Sequence, residues 1–153
     1  MSMWTYRGHK VSELPVDVKY MVYCIHYTNG QKYIGSKVVR SKQRAKPLKG
    51  MRSNAVRLIE RESNWKEYIG SSKLTKELTI HSKVILYLCT DKRSATYLEV
   101  RELMKVDAPM NKDYVNENIN GKWYNNALDG VYKGQVFKGL FDEINTENTQ
   151  DKE

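Results

Sequence analysis

The chain has 153 residues and a net charge of +8, a length that fits one domain with modest extensions and a real core. No run of ~18 apolar residues occurs, which excludes a membrane-spanning helix, and the first residues lack the charged-then-apolar pattern of a secretory leader, so a cytoplasmic setting is expected. The two cysteines, Cys24 and Cys89, fall in predicted strands and read as buried thiols rather than a disulfide or a metal pair.

In chain order, residues 1–17 show no period and are expected to be an irregular arm. Residues 19–27 are rich in Tyr, Val, Ile and Cys and predict a strand. Asn29-Gly30 then gives a strong hairpin signal, and residues 31–39 supply the partner strand. The loop length decides what the hairpin can do. A two-residue loop puts Tyr23 and Tyr33 on opposite faces. A three-residue loop, Thr28-Asn29-Gly30, with Gly30 left-handed, puts Tyr23, Ile25, Tyr33 and Gly35 on one face. A site that uses both tyrosines requires the second register.

Residues 36–59 hold Lys37, Arg40, Lys42, Arg44, Lys46, Lys49, Arg52 and Arg57 and no acid. Pro47 and Gly50 interrupt them, which predicts a loop with short helical pieces, and residues 53–62 read as a helix. Residues 63–72 read as a loop and 72–78 as a short helix. The apolar run 83–89 suits a strand buried on both sides. Residues 94–106 predict a helix with Tyr97, Val100, Leu103 and Met104 on its apolar face, ended by Pro109. Turns follow to about residue 129, and residues 131–140 alternate in a way that predicts a short hairpin.

Residues 141–153 carry five acids and one lysine, so the rest of the chain is more basic than the total suggests. A basic body with an acidic, polar tail points to a nucleic-acid-binding surface and a disordered end. The expected division is an arm at 1–17, a main domain at 18–128, a short extension at 129–140 and an acidic tail at 141–153. The expected class is α/β (α+β), a small three-stranded antiparallel-type sheet flanked by helices.

Met21-Val22-Tyr23, Tyr33-Ile34-Gly35-Ser36-Lys37, Tyr68-Ile69-Gly70-Ser71-Ser72-Lys73, the segment Ala95–Glu99 and Pro109-Met110-Asn111 recur here in an order that resembles the GIY-YIG nuclease superfamily, and within it the phage-borne, homing-type members. The resemblance covers about residues 20–126. Met-Val replaces the family's Gly-Ile, and the spacer between the first two motifs is about one residue shorter than usual.

The resemblance implies a set of roles. Glu99 would hold a single divalent ion, Mg²⁺ or Mn²⁺, with Glu102 as the fallback ligand. From the residues alone, Thr96–Glu99 also fits a capping box, in which Glu99 would only fasten a helix start. Tyr23 would activate or position the attacking water. A free phenol has a pKa near ~10, so activation needs help from a cation or metal. Tyr33 would bind the water or the phosphate. Arg44 or Arg40 would clamp the phosphate, the family placing this arginine on a helix. Tyr68 would be the additional polar group, with His81 as an alternative and His26 on the other face. Asn111, Asn116 or Asn125 would order the site by hydrogen bonding. Lys37, Lys42, Lys46, Lys49, Arg52, Arg57 and Lys73 would contact the nucleic-acid backbone.

The resulting expectation is a metal-dependent DNA endonuclease, nicking or cutting both strands, without a small-molecule cofactor and with monomer and homodimer both open. A non-catalytic nucleic-acid-binding module and an RNA-cleaving nuclease are the alternatives. No P-loop, zinc-ligand spacing or Ser/His/Asp arrangement competes.

Overall fold

The computed structural model describes residues 3–119 and 129–134. Its first long element is the tyrosine hairpin, β3 (Tyr20–Tyr27) and β4 (Lys32–Val38), with β1 (Trp4–Tyr6) and β2 (His9–Lys10) before it. The hairpin closes through the three-residue loop. Gly30 sits at φ +87° and donates its N–H to the Tyr27 carbonyl at 3.1 Å, and the Tyr27 N–H reaches the Gln31 carbonyl at 2.9 Å. The Asn29 side chain accepts from the Gln31 N–H at 2.9 Å, a local turn bond that favours this closure. Tyr23 therefore faces Gly35, and Ile25 faces Tyr33. Tyr23 and Tyr33 share a face.

After the hairpin come β5 (Arg40–Ala45), β6 (Arg57–Glu62), a 3₁₀ turn at Trp65–Glu67, the short helix α1 (Lys73–Glu77), β7 (Ile80–Cys89), α2 (Lys92–Lys105) and a second 3₁₀ turn at Ala108–Met110. The main sheet has five strands in the order β2-β1-β7-β3-β4. β7 lies at its centre, antiparallel to β3 and parallel to β1. The class is mixed α+β, as expected, but the sheet is larger than the three strands expected. The two additional strands come from the segment expected to be an irregular arm. Trp4 and Tyr6 are buried on one side of β1, which turns back into β2 through Arg7 and Gly8, both at positive φ. Three residues are too few to show a period, so nothing local announces this strand.

The basic segment is the larger departure. It forms a two-stranded ribbon, β5–β6, rather than a loop and a helix. Pro47 and Gly50 lie in the ribbon's end loop, where neither costs a ladder bond. Arg57–Glu62 has fair helix formers, yet cross-strand pairing from Arg40–Glu62 to Ala45–Arg57 overrides that preference.

α2 starts two residues earlier than expected, because the Asp91 side chain accepts the Ser94 N–H at 2.8 Å. Thr96 and Glu99 thus lie inside the helix, and the capping-box reading of Glu99 does not hold. The helix buries Ala95, Leu98, Val100 and Leu103, whereas Met104 is 56% exposed. α1 forms where expected, with the Ser72 side chain accepting from Leu74 N–H.

One face of the sheet packs Trp4, Met21, Tyr23, Ile25, Trp65, Ile85 and Leu88 together. The other face packs Val22, Cys24, Ile34 and Cys89 under α2. Cys24 and Cys89 are buried free thiols, and burial pushes them to about 11 and about 12. Among the described residues no helix is long and apolar enough to cross a membrane. Residues 129–134 return to the domain: Val131 bridges Cys89, and the Gly130 N–H donates to Ser94 Oγ at 3.0 Å beside the start of α2. The rest of the expected hairpin at 131–140, and the tail after it, lie outside the described residues.

Candidate active site

Three phenols gather on the face of β3 and β4 away from α2. The ring centroid of Tyr23 lies 6.2 Å from that of Tyr33 and 5.9 Å from that of Tyr68. Tyr23 also meets Trp4 edge-on at 5.2 Å and is only 1% exposed. Its ring lies over Gly35. A Cβ there would stand 2.5 Å from the Tyr23 hydroxyl and 2.8 Å from Cζ, so the strand can pass under the ring only as glycine. Gly70, at φ +103°, turns the chain between Tyr68 and Ser71, and the Ser71 hydroxyl lies 3.4 Å from that of Tyr33.

Tyr23 and Tyr33 are held protonated. Burial raises the Tyr23 pKa far above the ordinary tyrosine value, helped by Tyr33, Tyr68, a hydrogen bond with Tyr68, and the charge of Glu99. Tyr33 is raised mainly by burial, against which its bond with Ser71 works. Tyr33 and Tyr68 keep partial exposure and form the accessible rim, with Tyr23 beneath them.

Glu99 approaches the same strand from the α2 side. Ser36, the residue after Gly35, donates its hydroxyl to Glu99 Oε2 at 2.6 Å. Burial raises the carboxyl's pKa, and the Ser36 bond works against it. Among the described residues no lysine or arginine forms an ion pair with Glu99, and no cluster of three or more His, Cys, Asp or Glu exists. The donor set fits a hard ion that takes one carboxylate and fills its other positions with water and phosphate oxygens, as Mg²⁺ does. Glu102, the fallback, is taken up by the Tyr87 hydroxyl at 2.7 Å and by Lys105 at 3.2 Å.

Asn116 is the asparagine that orders this strand. Its Oδ1 accepts the Ile34 N–H at 3.0 Å and its Nδ2 donates to the Ile34 carbonyl at 2.8 Å, imitating a neighbouring strand. Lys32 is paired beside it by Asp113 and Val115. The outer edge of β4 is thus closed up to Ile34, one residue before Gly35. Asn111 acts locally, donating to the Val106 carbonyl and accepting from Asp113 N–H. Asn125 lies outside the described residues.

Neither arginine sits on a helix. The Arg40 guanidinium donates to the carbonyls of Leu14 and Pro15 at 2.7 Å each and of Val18 at 3.1 Å, and so fastens the segment before β3. Arg44 is exposed on the ribbon. Arg40→Met is therefore expected to lower stability by about 2 kcal/mol in urea unfolding, while Arg44→Met changes it by no more than ~0.5 kcal/mol. Lys42, Lys46, Lys49 and Arg52 are exposed on the ribbon and its loop, Arg57 donates to the Lys46 carbonyl, and Lys73 opens α1. His81 is exposed on β7, and His26 alternates to the face away from the tyrosines.

Two residues gain roles that their sequence positions hid. Lys37 lies on the tyrosine face of β4, with Nζ 4.2 Å from the centre of the Tyr68 ring. Lys83, in the apolar run of β7, is 2% exposed; its ammonium donates to the carbonyls of Lys66 (3.0 Å) and Tyr68 (3.3 Å) and lies over Trp4. Burial lowers its pKa, opposed by Glu67. It pins the turn that delivers Tyr68. A lysine inside an apolar run is the one signal that pointed to it.

Residues 4–128 match the family described as "Putative endonuclease segE, GIY-YIG domain". No curated protein and no solved structure gives a match. The matched span begins at β1, whose Trp4 backs Tyr23, and runs past Glu99 and Asn116; with the tyrosines, the glycine and the glutamate meeting around one strand inside it, the chain belongs to the GIY-YIG endonuclease family.

Proposed function

We propose that this nuclease is a divalent-cation-dependent DNA endonuclease of the phage or mobile-element kind. The observation that carries this reading is the meeting of three phenols and one half-buried carboxylate around Gly35. Glu99 would hold one Mg²⁺ or Mn²⁺, which supplies Lewis-acid stabilisation of the phosphate. Tyr33 and Tyr68, the half-buried pair at the rim, hydrogen-bond the attacking water and a phosphate oxygen. Tyr23 acts as a fixed donor beneath them. A phenol whose pKa is raised by burial does not take a proton from water near neutral pH, so positioning replaces the base role that sequence reasoning left open. Lys37 supplies positive charge on the tyrosine side. Asn116 keeps β4 in register, Arg44 meets a phosphate away from the reacting one, and Asn111 serves the fold.

Supercoiled plasmid conversion tests this. Wild type with Mg²⁺ is expected to produce nicked or linear plasmid, and EDTA to stop it. Cleavage that persists in EDTA would overturn the metal requirement. Cleavage of structured RNA with plasmid untouched would overturn the DNA reading.

A further inference from the structure

Among the described residues, the β5–β6 ribbon pairs only with itself and joins no other sheet. A lone two-stranded hairpin is marginal in water, and this one gains little from packing: Lys42, Gln43 and Arg44 on one strand and Leu58, Glu60, Arg61 and Glu62 on the other are exposed. Its composition is graded along its length. The acids stand at the anchored end, where Glu60 pairs with Lys19 at 2.7 Å and Glu62 accepts the Trp65 indole N–H at 2.6 Å. Beyond them, residues 42–59 hold six cations and no acid.

That end also exposes apolar side chains: Leu48 (56%), Met51 (44%), Val56 (65%) and Leu58 (57%). Phosphate contact alone calls for none of these, and exposed apolar groups ringed by charge mark a binding surface. The cations select a polyanion. The ribbon has no aromatic residue between 40 and 62, so it lacks the stacking platform that single strands need. Leu and Met beside Pro47, flanked by Arg and Lys, are the side chains that wedge between base pairs from the minor groove.

We propose that the ribbon lies in the minor groove of duplex DNA, with Leu48 and Met51 wedged at a base step. This rests on the DNA-cleaving reading above and extends it to how the substrate is held. The anchor is firm: Val39, between β4 and β5, donates to Lys19 and accepts from Ser63, and Arg40 makes its three carbonyl bonds. Six paired residues at ~3.3 Å each carry the end of the ladder roughly 20 Å beyond that anchor, on the order of six base pairs along a duplex. Leu48 and Met51 lie past that end, in the loop that joins the two strands, so the wedge meets the duplex away from Gly35.

The test uses the full chain carrying Glu99→Gln, in EDTA, with a 30-base-pair duplex that is end-labelled for energy transfer and carries 2-aminopurine at successive positions. The expected result is shortened end-to-end distance, increased 2-aminopurine fluorescence at one step, and displacement by the minor-groove ligand netropsin. Leu48→Ser with Met51→Ser should abolish the fluorescence gain and the bend and weaken binding about tenfold, with the salt slope unchanged. Both residues are exposed, and an unchanged thermal midpoint would verify folding. The inference is overturned if the double variant bends and binds DNA as before, if methyl green displaces the protein and netropsin does not, or if single strands bind as tightly as duplex. With Glu99 intact, equal plasmid nicking by the native and the serine tips would overturn the wedge and leave the nuclease reading standing. No DNA binding at all would sink both.

Discussion

Glu99→Gln is expected to reduce plasmid cleavage by on the order of 10³-fold or more in single-turnover assays with Mg²⁺, the range seen when a group that stabilises transition-state charge is removed. The fold should survive. Glutamine keeps the length of glutamate and can still accept the Ser36 hydroxyl, which lies 2.6 Å from Oε2. It also removes a carboxylate whose burial is unfavourable, so the thermal midpoint should hold or rise slightly. Loss of cleavage with a retained midpoint would separate a chemical role from a structural one. Cleavage at the wild-type rate would remove Glu99 from the site, and Glu102 would be a poor replacement because Tyr87 and Lys105 already occupy it.

Gly35→Ala is expected to damage both stability and activity. The added methyl would stand 2.5 Å from the Tyr23 hydroxyl, 2.8 Å from Cζ and 3.1 Å from Tyr33 Cε1. Tyr23 cannot easily move away, with Trp4 against one side of its ring and Tyr68 against another. Overpacking of this kind costs about 1–3 kcal/mol. A phenol displaced by about 1 Å costs on the order of 10²-fold in rate. Urea unfolding and single-turnover cleavage measure the two effects. Adding Tyr23→Phe removes the hydroxyl that the methyl meets first, so the double variant should regain part of the lost stability and none of the activity. If Gly35→Ala cleaves normally, the close passage of Tyr23 over β4 is not part of the machinery.

The tyrosine hairpin was legible because its information is local. Asn29-Gly30 marks the turn, alternation fixes the faces, and only the loop length remained to be decided. The central strand, α1 and the two buried thiols follow from equally local patterns. What stayed hidden depends on partners far away. β1 joins the main sheet because β7 pairs with it, and Trp4-Thr5-Tyr6 is too short to show an alternation. The β5–β6 ribbon defeated a helix reading because pairing across the loop outweighs the helix preference of Arg57–Glu62. Arg40 resembled a phosphate clamp in sequence, but three carbonyls before β3 claim its guanidinium. Lys83 had no acid to announce it, since its partners are backbone carbonyls and an aromatic ring. In each case residue type was visible and commitment was not.

The parallel pairing of β1 with β7 has a kinetic consequence. Thr5 and Lys83 touch although they stand 78 positions apart in the chain. A hairpin closes in microseconds, whereas contacts this distant pay their loop entropy first and form late. During synthesis the tyrosine hairpin and the short β1–β2 turn emerge early, yet β1 cannot join the main sheet until residues 83–85 exist, and Glu99 follows later still. A growing chain would carry the motif most recognisable in the sequence while lacking the wall behind Tyr23 and the carboxylate opposite it. Cutting ability would thus arrive with closure of the sheet, in one step, and not by increments as the strands appear.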